Sequence, residues 1–284
     1  MTRPSYDLRG KVVLITGGTG GIGSATAREL IGRGAKVAIV DVDPRTPQIA
    51  ATMSPHSAFG SIADVCDRDA LDVAVSDVVD RFGRVDVAIA NAGILSRAAT
   101  LRNTPTASIE SLLAVNVTGV VNTVQAAMDH VVAHRGQFVL ISSVFAFLNG
   151  MGTIPYAMSK AAVEQLGRGL RVELAARGVS TTTAYFSLIE TNMIKQGVDG
   201  DPIVDELLAG LPRPLLKRLQ PETAATALVK GLAHRSPRVM EPSRWKPISA
   251  LRGLLAPALD ARLTRDRRTL AALSQLDARS HTAP

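Results

Sequence analysis

Lys11-Val12-Val13-Leu14-Ile15-Thr16-Gly17-Gly18-Thr19-Gly20-Gly21-Ile22-Gly23 decides how the rest of the chain is read. A short β-branched apolar run passes straight into a glycine-rich turn, and residues 24–31 then have helical composition. Strand, turn and helix in that order give a glycine motif chemical meaning. Glycines allow a tight turn and let backbone approach a pyrophosphate, and the helix N-terminus adds free N–H groups and the positive end of its dipole. An ordinary glycine-rich loop is the bland alternative; the place of the motif, directly after the first strand, favours nucleotide binding.

Working outward, Lys36-Val37-Ala38-Ile39-Val40 reads as the next strand and ends in Asp41, 18 residues after Gly23. That is near the spacing of an acid that bonds an adenosine ribose 2′-OH. A carboxylate there repels a 2′-phosphate, and no basic residue lies within 17–23, so NAD is expected over NADP. Arg45 is the nearby cation that works against this preference. Further strands are expected at 57–63, running into Asp64-Val65; at 85–90, running into Asn91-Ala92-Gly93; at 137–141, leading to Ser143; at 179–185; and at 238–240. Helices are expected at 67–82, 105–134, 154–178 and 221–234. Nearly all-apolar strands alternating with helices imply a parallel sheet covered on both faces, a doubly wound α/β fold of Rossmann type. Residues 187–214 mix glycine and proline with apolar residues and carry no regular pattern, which suggests a substrate lid.

Tyr156 and Lys160 fall one helical turn apart on one face. An ammonium beside a phenol favours the phenolate, so the Tyr156 pKa is expected to fall towards working pH, making it an acid/base for a hydroxyl or carbonyl. Taken alone, such a pair is more often a surface contact. Ser143, 13 residues earlier at a strand end, is placed to hold a substrate oxygen. Asn116 interrupts an apolar helical pattern, and a buried amide there needs partners.

The whole chain bounds these readings. At 284 residues, 46% hydrophobic and 20% charged, it is globular. Its one cysteine, Cys66, forms no internal disulfide and fits a reducing compartment. No secretory signal or membrane span is evident, so a cytoplasmic location is expected. His130 and His134 have metal-ligand spacing but no accompanying glutamate, and no metal is expected. Nucleic-acid binding is not expected either, since the basic residues are not interleaved with aromatics. Residues 242–284 hold eight cations against three aspartates, +5 of the formal +7. The chain therefore divides into an α/β domain over 1–241 and a basic amphipathic C-terminal extension over 242–284. Apolar residues at 248, 251, 255, 259 and 263 fit one helical stripe. That stripe is expected either to pack on its own domain or a subunit partner, or to form a peripheral membrane anchor with Trp245 at the boundary.

Together these motifs resemble the short-chain dehydrogenase/reductase family over about residues 8–193. The resemblance implies a cofactor turn at Thr16, Gly17, Gly21, Ile22 and Gly23, an NAD-selecting Asp41, an adenine contact at Asp64-Val65, and Asn91-Ala92-Gly93 beside the cofactor. It implies a catalytic tetrad of Asn116, Ser143, Tyr156 and Lys160. Tyr156 would exchange the proton, and Ser143 would hold the substrate oxygen. Lys160 would lower the tyrosine pKa and bond the nicotinamide ribose, and Asn116 would anchor a relay water. Ile189 and Thr191 keep the family's cofactor-loop pattern, Thr191 meeting the nicotinamide carboxamide. Two departures stand out: Phe186-Ser187 replaces the usual Pro-Gly, and the usual Val-Asp-Gly-Gly-like ending after Val239 is absent. Homodimers or homotetramers are common in the family. The expected activity is NAD-dependent interconversion of a hydrophobic secondary alcohol and its ketone, the substrate class resting on Phe145, Phe147, Leu148, Met151, Leu188 and Met193. The competing reading is a non-catalytic NAD-binding sensor or scaffold acting through the C-terminal extension.

Overall fold

All seven apolar runs become strands of one sheet: β1 (Val12–Thr16), β2 (Lys36–Asp41), β3 (Ala58–Ile62), β4 (Val87–Ala90), β5 (Gln137–Ser143), β6 (Ser180–Phe186) and β7 (Arg238–Glu241). In this computed structural model, which describes residues 5–209 and 213–279, every pairing is parallel and the order is β3-β2-β1-β4-β5-β6-β7. The helices are α1 (Gly21–Gly32), α2 (Thr46–Met53), α3 (Arg68–Phe82), α4 (Thr106–Leu113), α5 (Gly119–Ala133), α6 (Ile154–Glu173), α7 (Asn192–Gly197), α8 (Pro202–Ala209), α9 (Pro221–Ala233), α10 (Lys246–Leu263) and α11 (Arg267–Asp277).

The alternation of a strand splits the core into two layers. Val13 and Ile15 of β1 pack with α1 and α9 on one face, against Leu30, Leu228 and Leu232. Val12 and Leu14 pack on the other with α3, α5 and α6, against Leu71, Val124 and Val163. Local chemistry sets the helix ends. The Asp67 carboxylate accepts from Ala70 N at 3.0 Å to cap α3, and Gly83 closes it at φ +85°. Residues 106–133 are long and apolar enough to cross a membrane, with a mean hydropathy of 1.3. Here Val120, Val124, Ala127 and Val131 cover the sheet, and about a third of the apolar window is buried.

Four stretches differ from expectation. α2 was not foreseen, because Thr46-Pro47-Gln48-Ile49 has poor helix propensity; Pro47 in the first turn and buried Ala50 support it. The expected helix 105–134 contains a π-helical turn, Ala114–Thr118, around Asn116. Residues 187–214 are not patternless. They form α7, α8 and a 3-10 turn at Arg213–Leu216, while Gly210, Leu211 and Pro212 of the expected lid lie outside the described residues.

The fourth stretch is the C-terminal extension, whose last five residues are also outside those described. Trp245 is not at a boundary: it is 1% exposed, packed with Val144, Tyr185 and Met240. Ile248 joins that cluster, and the Arg252 guanidinium pairs with the Glu164 carboxylate of α6 at 2.6 and 2.8 Å. Beyond this the expected stripe runs into solvent, with Leu251 and Leu255 exposed. α11 turns back onto α8, burying Ala272 and Leu276 against Leu207.

Candidate active site

The C-terminal ends of β1 to β6 open onto one edge, the place where an open parallel sheet binds ligands. There the glycine turn is held from two sides. Gly17 has φ +65°, and a Cβ on it would lie 2.7 Å from Ala92 Cα. A Cβ on Gly23 would lie 2.2 Å from Gly17 O. The Asn91 side-chain amide at the end of β4 donates to the carbonyls of Thr16 (3.1 Å) and Gly17 (2.9 Å), tying the turn to the central strand. Asp41 closes the other side. Its Oδ2 accepts from Thr19 N (3.0 Å) and Thr19 Oγ1 (2.7 Å). Arg45, the cation that could offset Asp41, is held by the Asp43 carboxylate at 2.7 and 3.0 Å.

These elements border a cleft of about 620 Å³ running from Asp41, Asp64 and Val65 past Gly17, Gly21 and Ile22 to Lys160 and Thr191. Asn91, Ala92, Gly93, Tyr156 and Ile189 also line it. Of the expected cofactor residues, Thr16 and Gly23 stand behind the cleft and shape the turn. Sequence reasoning missed Thr19, Val42, Ala63 and Val115; each sits in or next to a singled-out motif, and adjacency was the available signal. The glycine-bounded turn, the α1 N-terminus without a side-chain cap, and the carboxylate at the end of β2 fit a dinucleotide.

Next to the cleft lies the expected tetrad. Lys160 is buried, and its Nζ donates to Ile141 O at 3.1 Å and stands 5.6 Å from the Tyr156 ring centroid. Ser143 Oγ donates to Phe186 O (3.2 Å) and accepts from Phe145 N (3.2 Å). Asn116 is fully buried, and its partners are now defined. Its Oδ1 accepts from Ile94 N (2.8 Å), and its Nδ2 donates to Ile94 O (2.9 Å) and Ser159 Oγ (3.2 Å). The amide therefore braces the segment after Gly93 against α6.

The expected fall in the tyrosine pKa is not found in the protein alone. Burial pushes the Tyr156 phenol up, opposed in part by the neighbouring Ser143 hydroxyl. Burial also depresses Lys160 to about 8, so the ammonium that was to stabilise a phenolate is itself disfavoured.

Phe186-Ser187 extends β6: Phe186 pairs with Glu241, and Ser187 N donates to Glu241 O at 3.1 Å. The chain after it is fixed by a bridge between Ile189 and Leu219, and Phe186 and Ser187 border the cleft without closing it.

A second, smaller pocket of about 120 Å³ opens beside Ser143 and Tyr156. Phe145, Leu148, Met151 and Leu188 line it as expected, but Met193 faces the larger cleft, and Phe147 stands behind the wall at 6.3 Å from the Trp245 ring. Leu95, Leu216 and Trp245 line it unforeseen. Trp245 follows the last strand by four residues at the ligand-binding edge, a positional signal that its charged neighbours concealed.

A sequence model of the short chain dehydrogenase family matches residues 11–201, and the chain belongs to that family. It is 31% identical over 210 residues to 2-(R)-hydroxypropyl-CoM dehydrogenase of Xanthobacter autotrophicus, covering 72% of this chain and 84% of that one. It is 31% identical over 231 residues to cis-4-hydroxycyclohexanecarboxylate dehydrogenase of Sinomonas cyclohexanicum, covering 77% and 87%. In fold it is similar to a crystal structure of 3-ketoacyl-(acyl-carrier-protein) reductase from Brucella melitensis complexed with NADH, with a TM-score of 0.74 at 23% identity over 82% of this chain and 97% of that one.

Proposed function

We propose that the protein interconverts an uncharged, apolar secondary alcohol and its ketone using NAD(H). The observation that carries this reading is that Tyr156 borders both cavities, the wide cleft and the small apolar pocket. A proton donor and acceptor at that junction meets a substrate oxygen projecting from the pocket. Ser143, lining the same pocket beside Tyr156, positions that oxygen. Tyr156 delivers its proton to a ketone oxygen, or removes one from an alcohol. A nicotinamide bound in the cleft supplies the hydride chemistry. Lys160 and Thr191 would hold its ribose and carboxamide end, and Asp41 its adenosine ribose.

Two features support the finer assignments. Asp41 is anchored at the cleft and Arg45 is engaged by Asp43, which favours NAD over its 2′-phosphorylated form. Among the described residues that line the small pocket none is charged, so a carboxylate, sulfonate or phosphate group on the substrate would go unpaired there. The names of the relatives supply the reaction class, dehydrogenation of an alcohol.

The test is absorbance at 340 nm with cyclic and aryl-alkyl ketones and NADH, NADPH in parallel. Turnover is expected with NADH. Tyr156→Phe is expected to reduce it by roughly 10²–10⁴-fold, with NADH binding retained, and Asp41→Ala to move the cofactor ratio towards NADPH. Absence of turnover by a protein that binds NADH, across a broad panel, would defeat the reading.

A further inference from the structure

The small pocket is completed by residues outside the matched family region. That match ends at residue 201, yet Leu207, Leu216 and Trp245 are part of the wall. Trp245 is the only tryptophan of the chain and is 1% exposed. It is locked in place: Phe147 packs edge-on against it at 6.3 Å, Phe147 in turn meets Tyr185 at 6.1 Å, and Met240 of β7 joins the cluster. A ring held on several sides makes a fixed wall rather than a flap. Another part of the wall leans on the same C-terminal segment. Leu207 of α8 lines the pocket and is backed by Ala272 and Leu276 of α11.

The pocket, partly open rather than sealed, has a volume of about 120 Å³. An apolar protein cavity of about 150 Å³ takes a benzene molecule, so this one holds an apolar group of about one six-membered ring. We propose that Trp245 sets that limit and is a specificity-determining residue of the substrate site, which makes the C-terminal segment part of that site. This rests on the small pocket being the substrate pocket of the proposed dehydrogenase.

Because Trp245 is the sole tryptophan, its emission reports on the pocket without any turnover. Wild-type protein with NADH, which cannot react with an alcohol, is titrated with cyclohexanol and, separately, cyclododecanol. A saturable change with cyclohexanol and none with cyclododecanol is expected. Turnover of cyclohexanone and cyclododecanone is then compared in wild type, Trp245→Phe and Trp245→Ala. The ratio of kcat/KM, large ring over small, is expected to rise at least about tenfold in Trp245→Ala and less in Trp245→Phe. NADH affinity, read from its own fluorescence, is expected to stay unchanged.

An unchanged ratio in a Trp245→Ala protein that binds NADH normally would overturn the proposal. So would emission blind to an alcohol that the enzyme turns over. If Trp245→Ala loses NADH binding, Trp245→Phe, which keeps a ring against Phe147, decides by the same ratio. Size-selective emission changes without turnover of any ketone would sink the dehydrogenase reading and uphold the size limit.

Discussion

The two cavities that meet at Tyr156 are built in opposite ways. The cleft, about 620 Å³, is shaped by main chain: a glycine turn, the ends of parallel strands, and the Asn91 and Asp41 side chains that tie them together. The pocket, about 120 Å³, is shaped by side chains from separated segments around residues 95–98, 143–156, 187–216 and 245. Backbone geometry demands particular residue types at fixed spacing, so it leaves a motif. Side-chain packing accepts any apolar residue of suitable size, so it leaves almost none. One cavity therefore tolerates few substitutions, and the other tolerates many.

The strongest way to break this contrast is Gly17→Ala. The added Cβ would sit 2.7 Å from the Ala92 backbone at a φ of +65°. Left-handed strain of roughly 1–2 kcal/mol and overpacking of roughly 1–3 kcal/mol act together, for a loss of about 3 kcal/mol. Urea unfolding is expected to show it, with NADH affinity falling in parallel. The Trp245 response to cyclohexanol is expected to survive in the folded fraction. If that response is lost along with NADH affinity, the cavities are not independent.

Lys160→Met sharpens the same contrast, because Lys160 belongs to the cleft and its charge is what burial opposes. Its pKa lies at about 8 in the folded protein against 10.5 for the free group. Below about pH 8 both folded and unfolded chains hold the proton, and the folded state bears the full burial cost. Between 8 and 10.5 the folded state has released it first, so wild-type stability from this group rises with pH. Above 10.5 the cost is gone. The gap is worth roughly 3 kcal/mol, less about 1 kcal/mol for the lost bond to Ile141 O. Lys160→Met is thus expected to be inactive yet more stable by about 2 kcal/mol at pH 7, the advantage disappearing as pH rises through that window. A variant that is less stable at pH 7 would show that Lys160 is better solvated than its surroundings imply.

How far the sequence could be read follows the same division. The strands were legible because each is a short β-branched run between turn residues, and the parallel order followed from their burial on both faces. The glycine turn was legible because it follows a strand and opens a helix, Asp41 because of its spacing from that turn, and Asn91 through the family resemblance. The direction of the Tyr156 shift was not. Spacing showed the ammonium one turn away, but not that burial would outweigh it at both groups. Nor was α2, whose weak propensity is overridden by the fit of Ala50 into the core. Trp245 was misread for a related reason: a lone aromatic among cations looks like a surface feature until the chain is seen to fold back under Phe147.

The smallest effect is expected at the far end of the pocket's support. Arg279, beyond α11, forms a two-pronged ion pair with Asp201 just before α8. Asp201 also accepts from Ile203 N at 3.1 Å, so it keeps a partner when the guanidinium is removed. Arg279 and its proton-donating groups hold the Asp201 carboxyl below the usual range. Partly exposed pairs of this kind are worth roughly 0.2–1 kcal/mol, and Arg279→Ala is expected to cost no more than about 1 kcal/mol in urea unfolding. Its consequence for function is sharper than its energy. Leu207 on α8 is a pocket wall, and loosening α8 from α11 is expected to raise KM for a ring-sized ketone about two- to fivefold while kcat and NADH affinity hold. A parallel change in NADH affinity would mean that the C-terminal segment supports the cleft as well, and that main chain and side chain do not divide the site as cleanly as the two cavities suggest.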